Sequence, residues 1–325
     1  MKVGDIMNNS TEMIPFRKHV ALAIDGGGFR GLIVTRALSV VEDYLGMSVH
    51  DVFRLVAGTS TGSIIAGGMG AGLSGTQMYN LYCELGHEVF RKSLRSRLWF
   101  LFKYRYTNYG LRKALTRYLG SISMYDFWKA DPPTDVVITA FDVVANRTRF
   151  FKSWKPKYAK LPVVTAVLAS SAVPTYFPVV EGRFVDGGVG SYANPCYLAA
   201  YEAMYCLKWD PAETTLISLG TGRAPHVVKP YEATNYRAWN WIGPILGAFL
   251  SSADDQQVRL VQTFFEKLDF RRFQVDLEES IPLDDPSTIQ ELTRYGIILG
   301  NKIIHNETDW ALEISAGSPR SIDTN

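Results

Sequence analysis

Cysteine is scarce in this 325-residue chain: Cys83, Cys196 and Cys206 are the whole supply, an odd number in no metal-ligand spacing. A disulfide framework is therefore not expected, and the sparing use suits a reducing compartment. Cys196 and Cys206 fall in a helical pattern, where they read as small buried apolar groups. Long apolar runs are missing as well. None reaches the roughly 18 residues that a membrane-spanning helix needs, and Met1 to Arg17 is polar, bears acids and lacks the apolar core of a secretory leader. A cytoplasmic protein is expected, with peripheral contact to a membrane left open. Net charge is nearly absent too, at +2, so there is no global pull toward nucleic acid. Repeats, low-complexity tracts and metal-ligand clusters are absent, and no cofactor is expected. What is present, 47% hydrophobic and 20% charged residues, suffices for one large α/β domain with a substantial core.

One absence is local. Between Glu88 and Asp126 there is no acidic residue, while Arg91, Lys92, Arg95, Arg97, Lys103, Arg105, Arg112, Lys113 and Arg117 fall in the interval. Trp99, Phe100, Phe102, Tyr104, Tyr106 and Tyr109 are interleaved with them. Cations for phosphate and rings for the headgroup level suit an anionic lipid surface. The candidates for that contact are Arg95, Arg97, Trp99, Phe100, Lys103 and Arg105. A lid or helix pair with a solvated basic face explains the stretch equally well. Nucleic-acid binding fits worse, because no folded module signature accompanies the charge.

Strand and helix patterns alternate along most of the chain. His19 to Ile24 is a continuous apolar run, the pattern of a strand buried on both faces. It ends in Asp25-Gly26-Gly27-Gly28-Phe29-Arg30-Gly31, and an amphipathic helix follows to Gly46. Phe53 to Ala57 reads as the next strand and runs into Gly58-Thr59-Ser60-Thr61-Gly62. That order is strand, sharp turn, helix, with Ser60 at the apex and glycine two positions away on each side, where a strained turn demands small neighbours. Helices are expected from Ser63 to Leu73 and from Gln77 to Phe90. Asp135 to Phe141 and Thr148 to Trp154 read as a hairpin, Val163 to Ser171 as a small-residue helix. Phe184-Val185-Asp186 carries an aspartate to the turn Gly187-Gly188. A helix follows Asn194-Pro195 to about Leu207, then a strand from Thr215 to Leu219. Helices at Trp239 to Leu250, Val258 to Leu268 and Ser287 to Ile304, with a strand from Arg272 to Leu277, complete the pattern.

Gly26-x-Gly28-x-x-Gly31 also matches a dinucleotide fingerprint, which needs an acid at the tip of the following strand. Glu42 and Asp43, at about the right distance, fall inside the helix instead. The three glycines are better read as backbone N–H donors for an oxyanion, with Arg30 adding positive charge or pairing with a nearby carboxylate. Serine needs a base. Ser60, Asp186 and His226 follow the order of an α/β-hydrolase triad; the rival is a dyad in which Asp186 alone takes the proton.

Asp25 to Gly31, Gly58 to Gly62, Ala172-Val-Pro-Thr-Tyr-Phe-Pro178, Asp186-Gly187-Gly188 and Ser218 to Gly222, in that order, resemble the patatin-like phospholipases. The resemblance covers about Val20 to Gly222 and implies a three-layer α/β/α fold. Its centre would be a mostly parallel sheet with a nucleophile elbow, and a helical C-terminal region would follow. It implies Ser60 as nucleophile, Asp186 as proton acceptor, and an oxyanion hole from Gly26, Gly27, Gly28 and Arg30. Gly31, Gly58, Gly62, Gly187 and Gly188 are its motif glycines. The Asp-Gly-Gly here replaces the Asp-Gly-Ala of many members, and both third residues are small. The expected organisation is an extension at 1–18, a catalytic core at 19–222, and a mainly helical part at 223–325 packed on the same domain. The implied activity is cleavage of fatty-acyl esters of phospholipids or lysophospholipids through an acyl-enzyme. A general esterase with a His226 triad and a catalytically silent lipid- or nucleotide-binding module are the alternatives. The motifs do not specify a head group, an acyl position or any activating ligand or partner.

Overall fold

The apolar run His19–Ile24 forms strand β1 at the middle of a seven-stranded sheet. The computed structural model describes residues 13–90, 103–225, 228 and 231–309. Along β1, Leu22 and Ile24 enter one apolar core and Ala21 and Ala23 the other. Both faces are covered, which is why the sequence here does not alternate.

Helix α1 (Gly31–Leu45), the short α2 (Val49–Val52), strand β2 (Leu55–Gly58), α3 (Thr61–Gly70), α4 (Gly75–Glu88) and α5 (Asn108–Leu119) follow. Next come β3 (Asp135–Asp142), β4 (Arg147–Lys152), α6 (Val163–Ser170), β5 (Phe184–Asp186), α7 (Cys196–Tyr201) and β6 (Thr214–Leu219). Helix α8 (Ile242–Phe264), β7 (Asp269–Phe273) and α9 (Ile289–Ile304) complete the described fold. The sheet order is β4-β3-β2-β1-β6-β7, with β5 paired to β3. Strands β3, β2, β1, β6 and β7 run parallel, while β4 and β5 are antiparallel to β3. Helices α1, α3, α4, α5, α6 and α9 fill the larger core, and α7 and α8 the smaller one. This is the expected α/β architecture with helices on both faces of a mostly parallel sheet.

One pairing positions the site. Strand β2 covers residues 135–138 of β3, and β5 covers residues 140–142. Strand β4 occupies the other edge of β3, so β5 continues the line of β2. Gly58, the last residue of β2, lies opposite Ile138, and Asp186, the last of β5, lies opposite Ala140. The two strands thus deliver Ser60 and Asp186 to one place from opposite directions.

Several expectations need correction. The stretches Trp239–Leu250 and Val258–Leu268 belong mainly to one helix, α8. The polar link Ser251–Gln257 holds no glycine or proline to break it, and Pro244 sits in the first turn, where the missing N–H costs nothing. Strand β7 lies at Asp269–Phe273 rather than at the expected Arg272 to Leu277, and its Arg271 and Arg272 are buried with carboxylate partners. Cys206 is exposed, not buried, while Cys196 is buried as expected. Beyond residue 222 the chain still contributes a sheet strand and α9, which packs along α1 with Gly296 and Gly300 against Arg36 and Val40. No described helix is long and apolar enough to cross a membrane.

Candidate active site

Ser60 sits at φ 55° and ψ −121°, a conformation outside the ordinary basins, between the end of β2 and the start of α3. The turn is tight enough that a Cβ on Gly58 would lie 2.1 Å from the Gly62 carbonyl oxygen. A Cβ on Gly62 would lie 2.2 Å from that of Ile24. The strain is held by neighbours. The Ser60 amide donates to Ser170 Oγ at 2.9 Å, and the Ser60 carbonyl accepts from Ser63 Oγ at 2.6 Å and Ser171 Oγ at 3.1 Å. Neither Ser170 nor Ser171 carries a motif signal; only their place at the end of a small-residue helix hinted at close packing.

Asp186 is 2% exposed. Its Oδ1 accepts from the Gly188 amide at 2.8 Å, while Oδ2 is buried without a hydrogen-bond partner. Burial pushes its carboxyl up to about 6, opposed by the neighbouring Ser60 hydroxyl and the Gly188 amide. The Ser60 hydroxyl neighbours this carboxylate but forms no hydrogen bond with it. Gly187 is pressed against Thr139, and Gly31 against Thr61 and Tyr82.

The glycine loop divides in role. The Gly26 amide donates to the Ala193 carbonyl at 2.8 Å, and the Gly26 carbonyl accepts from Thr221 Oγ1 at 2.8 Å. Gly26 is therefore not a free donor, which corrects the expectation; its lack of a side chain makes room for Ser60, whose Cβ would be 3.3 Å from a Cβ at 26. Among the described residues, the amides of Gly27, Gly28 and Thr61 donate to no protein acceptor. Gly28, at φ +59°, and Thr61 line the same cavity as Ser60. Thr61, the residue after the serine, went unremarked in the sequence although its place at the start of α3 leaves its N–H unpaired. Arg30 is beside Asp25; burial brings it down to about 10, with Asp25 holding it up, so it stays charged near neutrality. Its Nε has no partner.

Beneath the loop lies a polar network that no motif announced. Arg272 donates to both oxygens of Asp25, to Ser218 Oγ at 2.8 Å and to Asp254 Oδ2 at 2.7 Å. Asp254 in turn accepts from Asn194 Nδ2 at 2.6 Å. Arg272 is 3% exposed. A bidentate pair of this kind fixes the residue that leads into the triple glycine.

The cavity is lined largely by Ile64, Leu85, Phe90, Leu111, Val173 and Phe177. Leu283, from the C-terminal third, closes one side; its carbonyl accepts from the Phe29 amide at 2.8 Å. Arg105, expected at a membrane surface, instead pairs with Asp284 and lies over the Tyr176 ring at 4.8 Å, joining two segments beside the cavity. Lys103 is exposed. Arg95, Arg97, Trp99, Phe100 and His226 lie outside the described residues. None of the four described histidines lines the cavity. Among the described residues there is no group of three or more His, Cys, Asp or Glu able to hold a metal.

A family model described as patatin-like phospholipase matches residues 22–200, more than half of the chain. A cGAMP-activated phospholipase of Pseudomonas aeruginosa (strain BWHPSA011 / Pa011) is 27% identical over 286 residues, 85% of this chain and 83% of that protein. Patatin-17 of Solanum cardiophyllum is 25% identical over 303 residues, 80% of this chain and 75% of that protein. An intracellular phospholipase A2 of Caenorhabditis elegans is 28% identical over 225 residues, 64% of this chain but only 20% of that protein.

Proposed function

The chain belongs to the patatin-like phospholipase family and acts as a lipid hydrolase; within that activity, we propose that Ser60 and Asp186 cleave fatty-acyl esters of phospholipids or lysophospholipids through an acyl-enzyme. Ser60 Oγ attacks the ester carbonyl carbon and its proton passes to Asp186 Oδ2. The oxyanion forms against the amides of Gly28 and Thr61, with Gly27 beside them. Collapse of the tetrahedral intermediate expels the alcohol, which takes the proton from Asp186. Water, deprotonated by the same carboxylate, then hydrolyses the acyl-enzyme and releases the fatty acid. A carboxylate is a weak base at its ordinary pKa near 3.9. Brought up to about 6 by burial, it is ionised at neutral pH yet closer to the basicity that proton transfer requires. Each oxyanion donor is worth about 3–4 kcal/mol of barrier.

The observation that carries this reading is the unpartnered Oδ2 of buried Asp186, at the end of the strand that continues the line of β2 toward the Ser60 turn. The apolar lining suits an acyl chain. Tyr109, Arg112 and Lys113 are exposed on α5, the helix whose Leu111 lines the cavity. With Lys103 they form the side that meets an anionic lipid surface in this proposal. The test is fatty-acid release from phosphatidylcholine vesicles by the native chain, Ser60→Ala and Asp186→Asn, each checked for folding by circular dichroism. Loss of release in both folded variants is expected. Full release by either one overturns the assignment.

A further inference from the structure

A second cleft opens at the other end of the sheet, lined by His19, Arg54, Trp128, Pro133, Thr134, Asp135 and Trp209. His19 begins β1, Arg54 immediately precedes β2, and Asp135 begins β3. The catalytic turn and the glycine loop follow the far ends of the same strands. Six residues of β1 at about 3.3 Å each put the two sites roughly 20 Å apart. Nothing in the hydrolytic scheme uses this cleft.

Its chemistry is specific. The rings of His19 and Trp209 stack at 4.8 Å with an interplanar angle of 15°, giving a flat wall. Trp128 is 44% exposed, and its Nε1 donates to Asp135 Oδ1 at 2.9 Å. That is the one hydrogen bond to the Asp135 carboxylate among the described residues, so Oδ2 keeps its acceptor capacity. Thr134 is 1% exposed, yet its Oγ1 has no partner. A buried hydroxyl left unmet costs about 1–3 kcal/mol, a cost that a ligand removes. The Arg54 guanidinium donates to the His50 carbonyl at 3.4 Å and has no carboxylate partner among the described residues. An indole surface, an unpaired guanidinium, an unmet hydroxyl and a carboxylate oxygen answer, in turn, a planar ring, a phosphate and the polar edge of a base.

We propose that this cleft is a binding site for a nucleotide, its base stacked on the aromatic wall with an N–H facing Asp135 and its phosphate on Arg54. A phospholipid tail is a poor occupant because four of the lining residues are polar or charged. The site is argued without reference to ester hydrolysis, and its test uses no ester.

The test is isothermal titration of the full chain with 5′-GMP and 5′-AMP, alongside guanosine, adenosine and ribose 5-phosphate. Saturable binding of at least one nucleotide with Kd of about 100 μM or tighter is expected. The matching nucleoside and ribose 5-phosphate should each bind at least tenfold more weakly. Arg54→Gln and Trp209→Ala should each weaken nucleotide binding at least tenfold. Trp128→Leu, at a half-exposed position that leaves the core intact, gives a third variant with the same expectation should Trp209→Ala fail to fold. Ser60→Ala should bind as the native chain does. Absence of saturable binding overturns the proposal. So does a Kd unchanged in folded Arg54→Gln and Trp128→Leu, or ribose 5-phosphate binding as tightly as the nucleotides.

Discussion

Replacing Asp186 by asparagine should remove activity and, at alkaline pH, make the fold more stable. The carboxyl is pushed from 3.8 to about 6, with burial the largest cause. Between those values the folded protein holds a proton that the unfolded chain releases, so stability falls as pH rises through that window. A shift of about two units corresponds to roughly 3 kcal/mol lost by pH 8. Asparagine carries no charge and escapes this loss. Its carbonyl can still accept from the Gly188 amide, but its NH₂ takes the place of an oxygen that makes no hydrogen bond. An unmet buried amide costs about 1–2 kcal/mol. The net expectation is a variant about 1–2 kcal/mol more stable than the native chain at pH 8. At pH 4 and below, where the native carboxyl is neutral, the advantage disappears. Urea unfolding midpoints at pH 4 and pH 8 read the difference, provided the slopes agree. A variant less stable than native at pH 8, or a difference that does not change with pH, refutes the idea that a buried charge at 186 is held at the expense of the fold.

The same carboxyl sets a pH profile. For a soluble short-chain ester, kcat/KM should fall below a pH of about 6, reaching about one-tenth of its plateau at pH 5; a profile flat to pH 4.5 contradicts an Asp186 base. Arg272→Met removes the bidentate partner of buried Asp25 and the partner of part-buried Asp254, and thermal unfolding should report a loss of about 3–5 kcal/mol. Arg272→Lys, which keeps the charge but not the fork, should recover part of it. Val173→Trp narrows the apolar cavity. Hydrolysis of long-chain esters should fall at least tenfold while short-chain hydrolysis persists, as measured on a p-nitrophenyl ester series.

The central elements were legible because their physics is local. β1 announces itself as an unbroken apolar run, and the serine turn by glycines that no other residue can replace at 2.1 and 2.2 Å from carbonyl oxygens. Asp186 was found through its glycine turn, although nothing in three residues of strand revealed that β5 extends the line of β2. What stayed hidden depends on partners far along the chain. Arg272 looks like a surface residue until Asp25, 247 positions away, is brought to it. The Gly26 amide could be assigned to an oxyanion only in ignorance of Ala193, whose carbonyl claims it. Arg105 reads as a free cation by composition, yet Asp284 meets it. Helix α8 was split in two because polar residues between two apolar patches resemble a loop, whereas a helix accepts them on its exposed side.

The most direct test of the central claim is covalent labelling of the native chain by a fluorophosphonate, followed by peptide mass mapping. The account predicts one adduct, on Ser60, formed much more slowly in Asp186→Asn and absent in Ser60→Ala. No adduct on the folded native chain, or an adduct on a different serine, contradicts it.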